Sequence, residues 1–395
     1  MAEQPLAGIR VIDLTRILSG PFCTMILGDL GAEVIKVEPP GHGDHVRQLG
    51  SIVDGFSWYF AAFNRNKRSI VLDLKREEGK AVLARLVAGA DVLAENFRPG
   101  VLAEMGFGAD RLKALNPRLV VASVNGYGSE GPYVDRPAFD FITQAMSGFM
   151  SVNGTPESGP LRAAPPLTDL IAGLYAALGV VAALRVRDRD GIGQKVEASM
   201  MNGMISMMAY LASTQLATGE TPPPTGNDHP VASPYGLFHA SDGDVAVAPS
   251  TPPILKRFLG ALGLEHLLDD PRFSSNAQRI RNRAALNALI DERMRGDTQQ
   301  NWVARLNAAG VPSGRVQSLA EVFDDPQVAA QEMVLDVPHP GHGTVRMTGF
   351  PLKMSETPCR VNRPAPDLGA DTEAVLAEFG IGAGEVAALK ERGVI

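Results

Sequence analysis

Cysteine and tryptophan are scarce, with two of each among 395 residues. Cys23 and Cys359 form no C-x-x-C pair, so no disulfide framework is expected. Basic charge is also in deficit: 37 lysines and arginines stand against 44 aspartates and glutamates, a net charge of −7. A chain of that balance lacks the broad cationic face that nucleic acid or an anionic membrane surface requires; an anionic ligand would need a local cluster. Long apolar runs are missing too: the most apolar stretch, 170–184, is about 15 residues, short of a bilayer core of roughly 30 Å. The N-terminus, MAEQPLAGIRVIDL, has no basic segment leading into an apolar one, so no signal peptide is expected. The expected setting is a reducing cytoplasm, with neither nucleic acid nor membrane as a partner.

What is present is ordinary for a globular protein, 45% hydrophobic and 21% charged residues, which argues against disordered and fibrous classes. The length calls for more than one core. Over the first 125 residues strand-like and helix-like segments alternate: 9–14, 33–38, 91–95 and 119–124 read as strands, 21–31, 75–89 and 109–115 as helices. That alternation predicts a parallel sheet covered on both faces. Two nearly all-apolar helices are expected at 169–187 and 199–216, the second with five of the 14 methionines. After a proline-rich break at 221–228 come a hairpin over 235–248, turning at Asp242-Gly243, and helices at 253–262, 277–295 and 299–309. The expected class is α/β: a Rossmann-like large domain over 1–224, a small α+β domain over 225–330, and a C-terminal segment, 331–395, returning to the large domain.

Several motifs are missing. No G-x-G-x-x-G follows the first strand, there is no G-K-[ST] phosphate loop, and no G-x-S-x-G nucleophile elbow occurs. His42 and His45, and His339 and His342, are spaced three apart, without supporting cysteine or acidic spacing; surface histidines and no metal site are expected. Two polar clusters remain. Asn64-Arg65-Asn66-Lys67-Arg68-Ser69, with Lys75 and Arg76 beyond, flanks a strand-like run, and Glu95-Asn96-Phe97-Arg98-Pro99-Gly100 follows another. Both are expected at the ligand-binding end of the sheet, around an anionic ligand with an apolar portion. Asp169 directly precedes an apolar helix, which reads as an N-cap; the same position lies beside free backbone N–H groups that can stabilise an oxyanion. Capping and catalysis remain open at this point.

The blocks LAGIRVIDLTRILSGPFCTMILGDLGAEVIKVEPPGHGD, NRNKRSIVLDLKREEGK, ADVLAENFRPGVLAEMGFG, NPRLVVASVNGYGSEGP, LTDLIAGLYAALGVVAAL and GQKVEASM resemble the class III CoA-transferases. That family takes in carnitine and bile-acid CoA transferases, formyl-CoA:oxalate transferase and the α-methylacyl-CoA racemases. The resemblance runs nearly the whole chain in family order. It implies a transferase moving CoA from an acyl-CoA donor to a small carboxylic acid, with CoA as substrate and no permanently bound cofactor. It also implies an interlocked homodimer. The family's catalytic aspartate falls on Asp169, and its CoA-contacting residues on Ile17, Leu18, Leu72, Asp73, Leu74, Lys75, Asn96, Phe97, Arg98 and Met105. The implied chemistry is an aspartyl anhydride followed by an aspartyl-CoA thioester.

Departures narrow the substrate. Oxalate-using members carry glutamine where Leu18 stands, a tetraglycine loop near Pro249–Pro253, and basic residues where Pro39 and Asn125 lie. Racemases carry a catalytic histidine where Phe139 precedes Asp140. A racemase or isomerase of the same fold and a non-catalytic CoA-binding protein are the alternatives. Succinyl-CoA is the preferred donor. A dicarboxylate acceptor needs an arginine or histidine partner, which the sequence alone does not place.

Overall fold

The computed structural model describes residues 2–395. By spatial contact the chain divides into two units, one of Met1–Phe149, Arg162–Ala209 and Gln327–Ile395, the other of Met150–Leu161 and Tyr210–Pro326.

Six parallel strands form the centre of the first unit: β1 (Arg10–Asp13), β2 (Glu33–Glu38), β3 (Lys67–Val71), β4 (Val92–Glu95), β5 (Val120–Asn125) and β6 (Lys195–Ser199). Their order across the sheet is β6-β5-β4-β1-β2-β3. The chain winds outward from β1 to β3, returns to place β4 on the other side of β1, and continues to β6. Val11 of β1 therefore pairs with Val34 on one side and Val92 on the other. Strands buried on both faces are near-continuous apolar runs, as in RVID and VLAE. Where the winding reverses, the loops leaving β1 and β4 diverge, and the crevice between them is where open α/β sheets bind ligands.

The helices that cover the sheet are α1 (Ser19–Asp29), α2 (Glu77–Ala88), α3 (Asp140–Met146), α4 (Leu167–Asp190) and α5 (Met200–Met207), with shorter ones between. One face is closed by Val82, Leu83, Leu86 and Val87 of α2 together with Val375, Leu376 and Leu389 of the C-terminal segment. The other is closed by Cys23 and Leu27 of α1 and a small-residue stripe of α4: Ala172, Ala176, Ala177, Val180, Ala183 and Leu184. Gly173 continues that stripe. A Cβ placed there would lie 2.5 Å from the Ser19 carbonyl oxygen, so the missing side chain is what lets α4 cross α1 in backbone contact. Helix α4 has 24 residues and meets the length and composition of a membrane span, yet its small-residue face is core.

The second unit holds a three-stranded antiparallel sheet, β7 (Gly236–Ala240), β8 (Gly243–Val247) and β9 (Ser313–Arg315), backed by helices Pro252–Leu262, Arg283–Met294 and Gln299–Ala308. Its core gathers Phe238, Val245, Phe258, Leu286 and Trp302. The hairpin forms, with Ser241-Asp242 as its two-residue loop, one position before the expected turn, because Gly243 already pairs with Ala240 as the first residue of β8. Two helices expected as continuous are broken. The segment 199–216 splits at Ala209, whose φ of +47° lies in the left-handed region, and 277–295 splits at Asn282. Helices Trp58–Asn64 and α3 were not foreseen; at seven residues each they carry little periodic signal.

Candidate active site at the start of a long helix

Helix α4 begins at Leu167 with Pro166 as its N-cap, so Asp169 sits in the first turn and is not the cap. The cap function is supplied from outside. Asp140, the first residue of α3, accepts the Thr168 N–H at 2.9 Å and the Thr168 hydroxyl at 2.9 Å through Oδ1, while its Oδ2 accepts Gln144 Nε2 at 2.7 Å. Gln144 in turn accepts the Ala163 N–H at 2.8 Å, tying the approach to α4 to the same helix. A proline cap offers no side-chain acceptor, so a carboxylate from elsewhere satisfies one of the free N–H groups.

This arrangement leaves the Asp169 carboxylate beside a second carboxylate, with no cationic partner among the described residues. Burial, and then the negative charge of Asp140, push the Asp169 carboxyl up to about 7 from its ordinary 3.8; a hydrogen bond from Ser19 opposes the change. Ser19 is within reach because the contact at Gly173, one turn along α4, brings the start of α1 there. The field is felt nearby: burial, followed by Asp169, Asp44 and Asp140, raises the Tyr59 phenol.

The loop from β1 carries the next layer. Arg16 and Asn96 bond reciprocally, Arg16 N–H to Asn96 Oδ1 and Asn96 Nδ2 to the Arg16 carbonyl, each at 2.8 Å. One side-chain amide thus joins the β1 and β4 loops across the switch point. Ile17 follows with φ +66°, an outlier for a β-branched residue. Its N–H is held by the Asp44 carboxylate at 3.2 and 3.3 Å, and Asp44 is paired with the fully buried Lys36 at 2.9 Å. Lys36 also donates to the Thr15 carbonyl at 2.8 Å. A buried ion pair with every partner satisfied keeps the strained turn in place.

Two cavities flank this turn. The smaller, about 220 Å³, is lined by Ile17, Leu18, Ser19, Asn96, Phe97, Arg98, Asn125, Arg136, Phe139 and Asp169, among others. The larger, about 500 Å³, is lined by Arg16, Leu72, Asp73, Leu74, Lys75, Lys80, Phe97 and Met105. Phe97 borders both, with the Arg16 guanidinium 4.7 Å above its ring. All eleven residues singled out in the sequence therefore line one cavity or the other. No histidine is among the described residues lining the smaller one.

The basic run at 64–69 is different. It precedes and enters β3 instead of leaving it, and its charges are used inside the protein. Lys67 is fully buried against Asp13 at 3.1 Å, Arg65 pairs with Asp29 at 2.7 Å, and Arg68 pairs with Glu33 and Glu378. Burial pushes the Lys67 ammonium down to about 8 despite Asp13. The histidines also need correction: His339 is buried, not on the surface. With His342 and Asp367 it brings three ligand-type atoms within 4.8 Å, but its Nε2 faces the Ala365 carbonyl at 2.9 Å and its Nδ1 accepts the Gly341 N–H at 3.1 Å. Both ring nitrogens are committed to backbone.

Asp140, Ser19, Asp44 and Arg136 left no signal in the sequence. Arg136 stacks on Tyr133 at 3.8 Å, and Asn125 keeps a buried Nδ2 without a partner.

A doubly wound sheet thus carries, at its switch point, a desolvated carboxylate at a helix start beside a cleft bordered by Phe97 and lined by Arg98 and Arg136. The chain belongs to CoA-transferase family III, whose sequence model matches residues 6–372, and it is a CoA-transferase acting on CoA thioesters. It is 40% identical over 379 residues to an acetyl-CoA:oxalate CoA-transferase of Acetobacter aceti, covering 95% of this chain and 96% of that one. Over 384 residues it is 37% identical to a succinate–glutarate CoA-transferase of Agrobacterium fabrum, with 95% and 96% covered. The crystal structure of a CAIB/BAIF family protein from Brucella suis superposes with a TM-score of 0.86 at 37% identity, over 96% of this chain and 100% of that one.

Proposed function

We propose that Asp169 is the nucleophile in a transfer of CoA from a short acyl-CoA, preferentially succinyl-CoA, to a small carboxylic acid. The observation that carries this is the carboxylate itself: desolvated, raised to about 7, and open to a cavity that shares Phe97 with a second, larger one. The nucleotide end of CoA occupies the larger cavity near Leu72–Lys75 and Met105; the pantetheine arm passes Phe97 and brings the thioester to Asp169.

An Asp169 oxygen attacks the donor thioester carbonyl, the C–S bond breaks, and CoA leaves as thiolate from a mixed anhydride. The thiolate attacks the aspartyl carbonyl, releasing the donor carboxylate and leaving an aspartyl-CoA thioester. The acceptor carboxylate attacks that thioester, expelling thiolate from a second anhydride. The thiolate then takes the acceptor's acyl carbon, freeing acyl-CoA and the Asp169 carboxylate. A raised basicity makes the ionised carboxylate a better nucleophile than an exposed aspartate, at the cost of full ionisation only above neutrality. Anhydride and thioester both keep the acyl group activated, so exclusion of water is required.

The active species is an interlocked homodimer. Leu174 (52% exposed), Leu178 (63%), Tyr175 and Val181 form an apolar outer face on α4 that a second chain covers. Both cysteines are free, in keeping with a reducing cytoplasm. The test is covalent trapping. After incubation with acyl-CoA, hydroxylamine or borohydride treatment followed by mass spectrometry should place the modification on the Asp169 peptide. A label confined to Cys23 or Cys359 would refute the mechanism.

A further inference from the structure

We propose that the side-chain amide of Asn125 donates an Nδ2–H to the acyl oxygen on which negative charge develops as Asp169 attacks, which makes Asn125 a catalytic residue of the transfer. This deepens the reading above and rests on it.

The first support is an orphaned donor. Asn125 is buried, with 6% of its surface exposed, and it lines the cavity of Asp169. Its Oδ1 accepts the Gly128 N–H at 2.6 Å, which fixes the amide, because the flipped orientation would set two N–H groups against each other. Nδ2 then has no acceptor among the described residues and lies out of reach of bulk water. A buried N–H that no protein group satisfies is costly to keep, and a partner that arrives with the substrate accounts for it. The other buried side-chain atoms in this condition, on Ser233, Asn287 and His342, line neither cavity.

The second is a rigid mount. Asn125 ends β5, in register with Ser199 at the end of β6. The next residue is locked as well: the Gly126 carbonyl accepts the Met201 N–H at 3.0 Å, and a Cβ on Gly126 would collide with that of Ala138. A donor held at a strand end needs little reorganisation when charge appears. The third is the charge already in place. Asp169 and Asp140 share the site, so an oxygen turning negative beside them needs a donor. A cation at this position would pair with Asp169 and lower its basicity, whereas a neutral amide stabilises the oxyanion without doing so. As the Asp169 oxygen bonds to the thioester carbon, the carbonyl electron pair moves onto the oxygen that Nδ2–H meets. The pair returns as the C–S bond breaks and thiolate leaves.

The test uses two substitutions whose only shared defect is the missing donor. Asn125→Asp keeps an acceptor for the Gly128 N–H but adds a charge; Asn125→Leu is neutral but frees that N–H. In both, kcat for exchange between succinyl-CoA and labelled succinate should fall about 100-fold, the effect of removing one oxyanion donor, while the KM for acyl-CoA changes less than about threefold. A folded variant of either kind with kcat within about threefold of wild type, or a loss carried by KM, would overturn the assignment. Covalent trapping separates this inference from the reaction itself. An adduct on the Asp169 peptide that forms as fast in both variants as in the wild type would leave the nucleophile standing and remove the donor. The full loss in both variants, with no adduct on Asp169 in the wild type, would leave the donor and remove the nucleophile.

Discussion

Replacing Asp169 by asparagine distinguishes a helix cap from a desolvated carboxylate by the pH dependence of the stability change. If Asp169 only capped α4, asparagine, an equally good cap, would leave the stability nearly unchanged between pH 5 and pH 8. The structure predicts a gain for the variant at alkaline pH. The folded-state carboxyl titrates at about 7 and the unfolded one at its ordinary 3.8. The folded state therefore holds the proton more tightly, and the associated stability is complete below about pH 4 and lost as pH rises to about 7. Between pH 5 and pH 8 the wild type should lose on the order of 3 kcal/mol through this one group, less whatever water in the cavity screens. Asparagine does not titrate. Urea unfolding of both proteins at the two pH values should show Asp169→Asn gaining on the wild type by that order as pH rises, while CoA transfer is abolished at both. A variant destabilised equally at pH 5 and pH 8, or one that keeps substantial activity, would refute the reasoning.

Three further outcomes are expected. Asp140→Asn keeps an acceptor for the Thr168 N–H but removes the charge facing Asp169, so the alkaline-rising limb of kcat/KM should move about one pH unit toward acid; a limb that stays in place in a folded variant would exclude the coupling. Gly173→Ala puts a Cβ 2.5 Å from the Ser19 carbonyl, which should cost about 1–3 kcal/mol in denaturant titration and lower kcat by shifting Ser19 from Asp169; wild-type stability would show that α1 and α4 separate easily. Asn96→Ala removes both bonds to Arg16, so the KM for acyl-CoA should rise about tenfold or more, with an effect confined to the acceptor counting against the placement of CoA.

The alternation of apolar runs and amphipathic helices was enough to place β1, β2, β4 and β5, because each strand is buried on both faces and its neighbours are crossover helices. The hairpin was legible to within one residue of its turn, which falls at Ser241-Asp242, because turn chemistry is local. Asp169 was legible as a residue at the start of an apolar helix, and its proposed role through resemblance, but its state was not. Nothing beside Asp169 in the sequence signals a raised carboxyl; whether a carboxylate is desolvated depends on which groups surround it in space, and the nearest decisive one, Asp140, bonds to Thr168 from 28 residues away. The basic run at 64–69 failed in the complementary way. Its charges are conspicuous in the sequence, and only the tertiary structure spends them on Asp13, Asp29, Glu33 and Glu378, while Arg136, one unremarkable arginine in a proline-flanked loop, is left open to the cavity. Periodicity and turn residues act through near neighbours along the chain and so decide the elements; charge pairing and burial act through space and so are settled only when the elements pack.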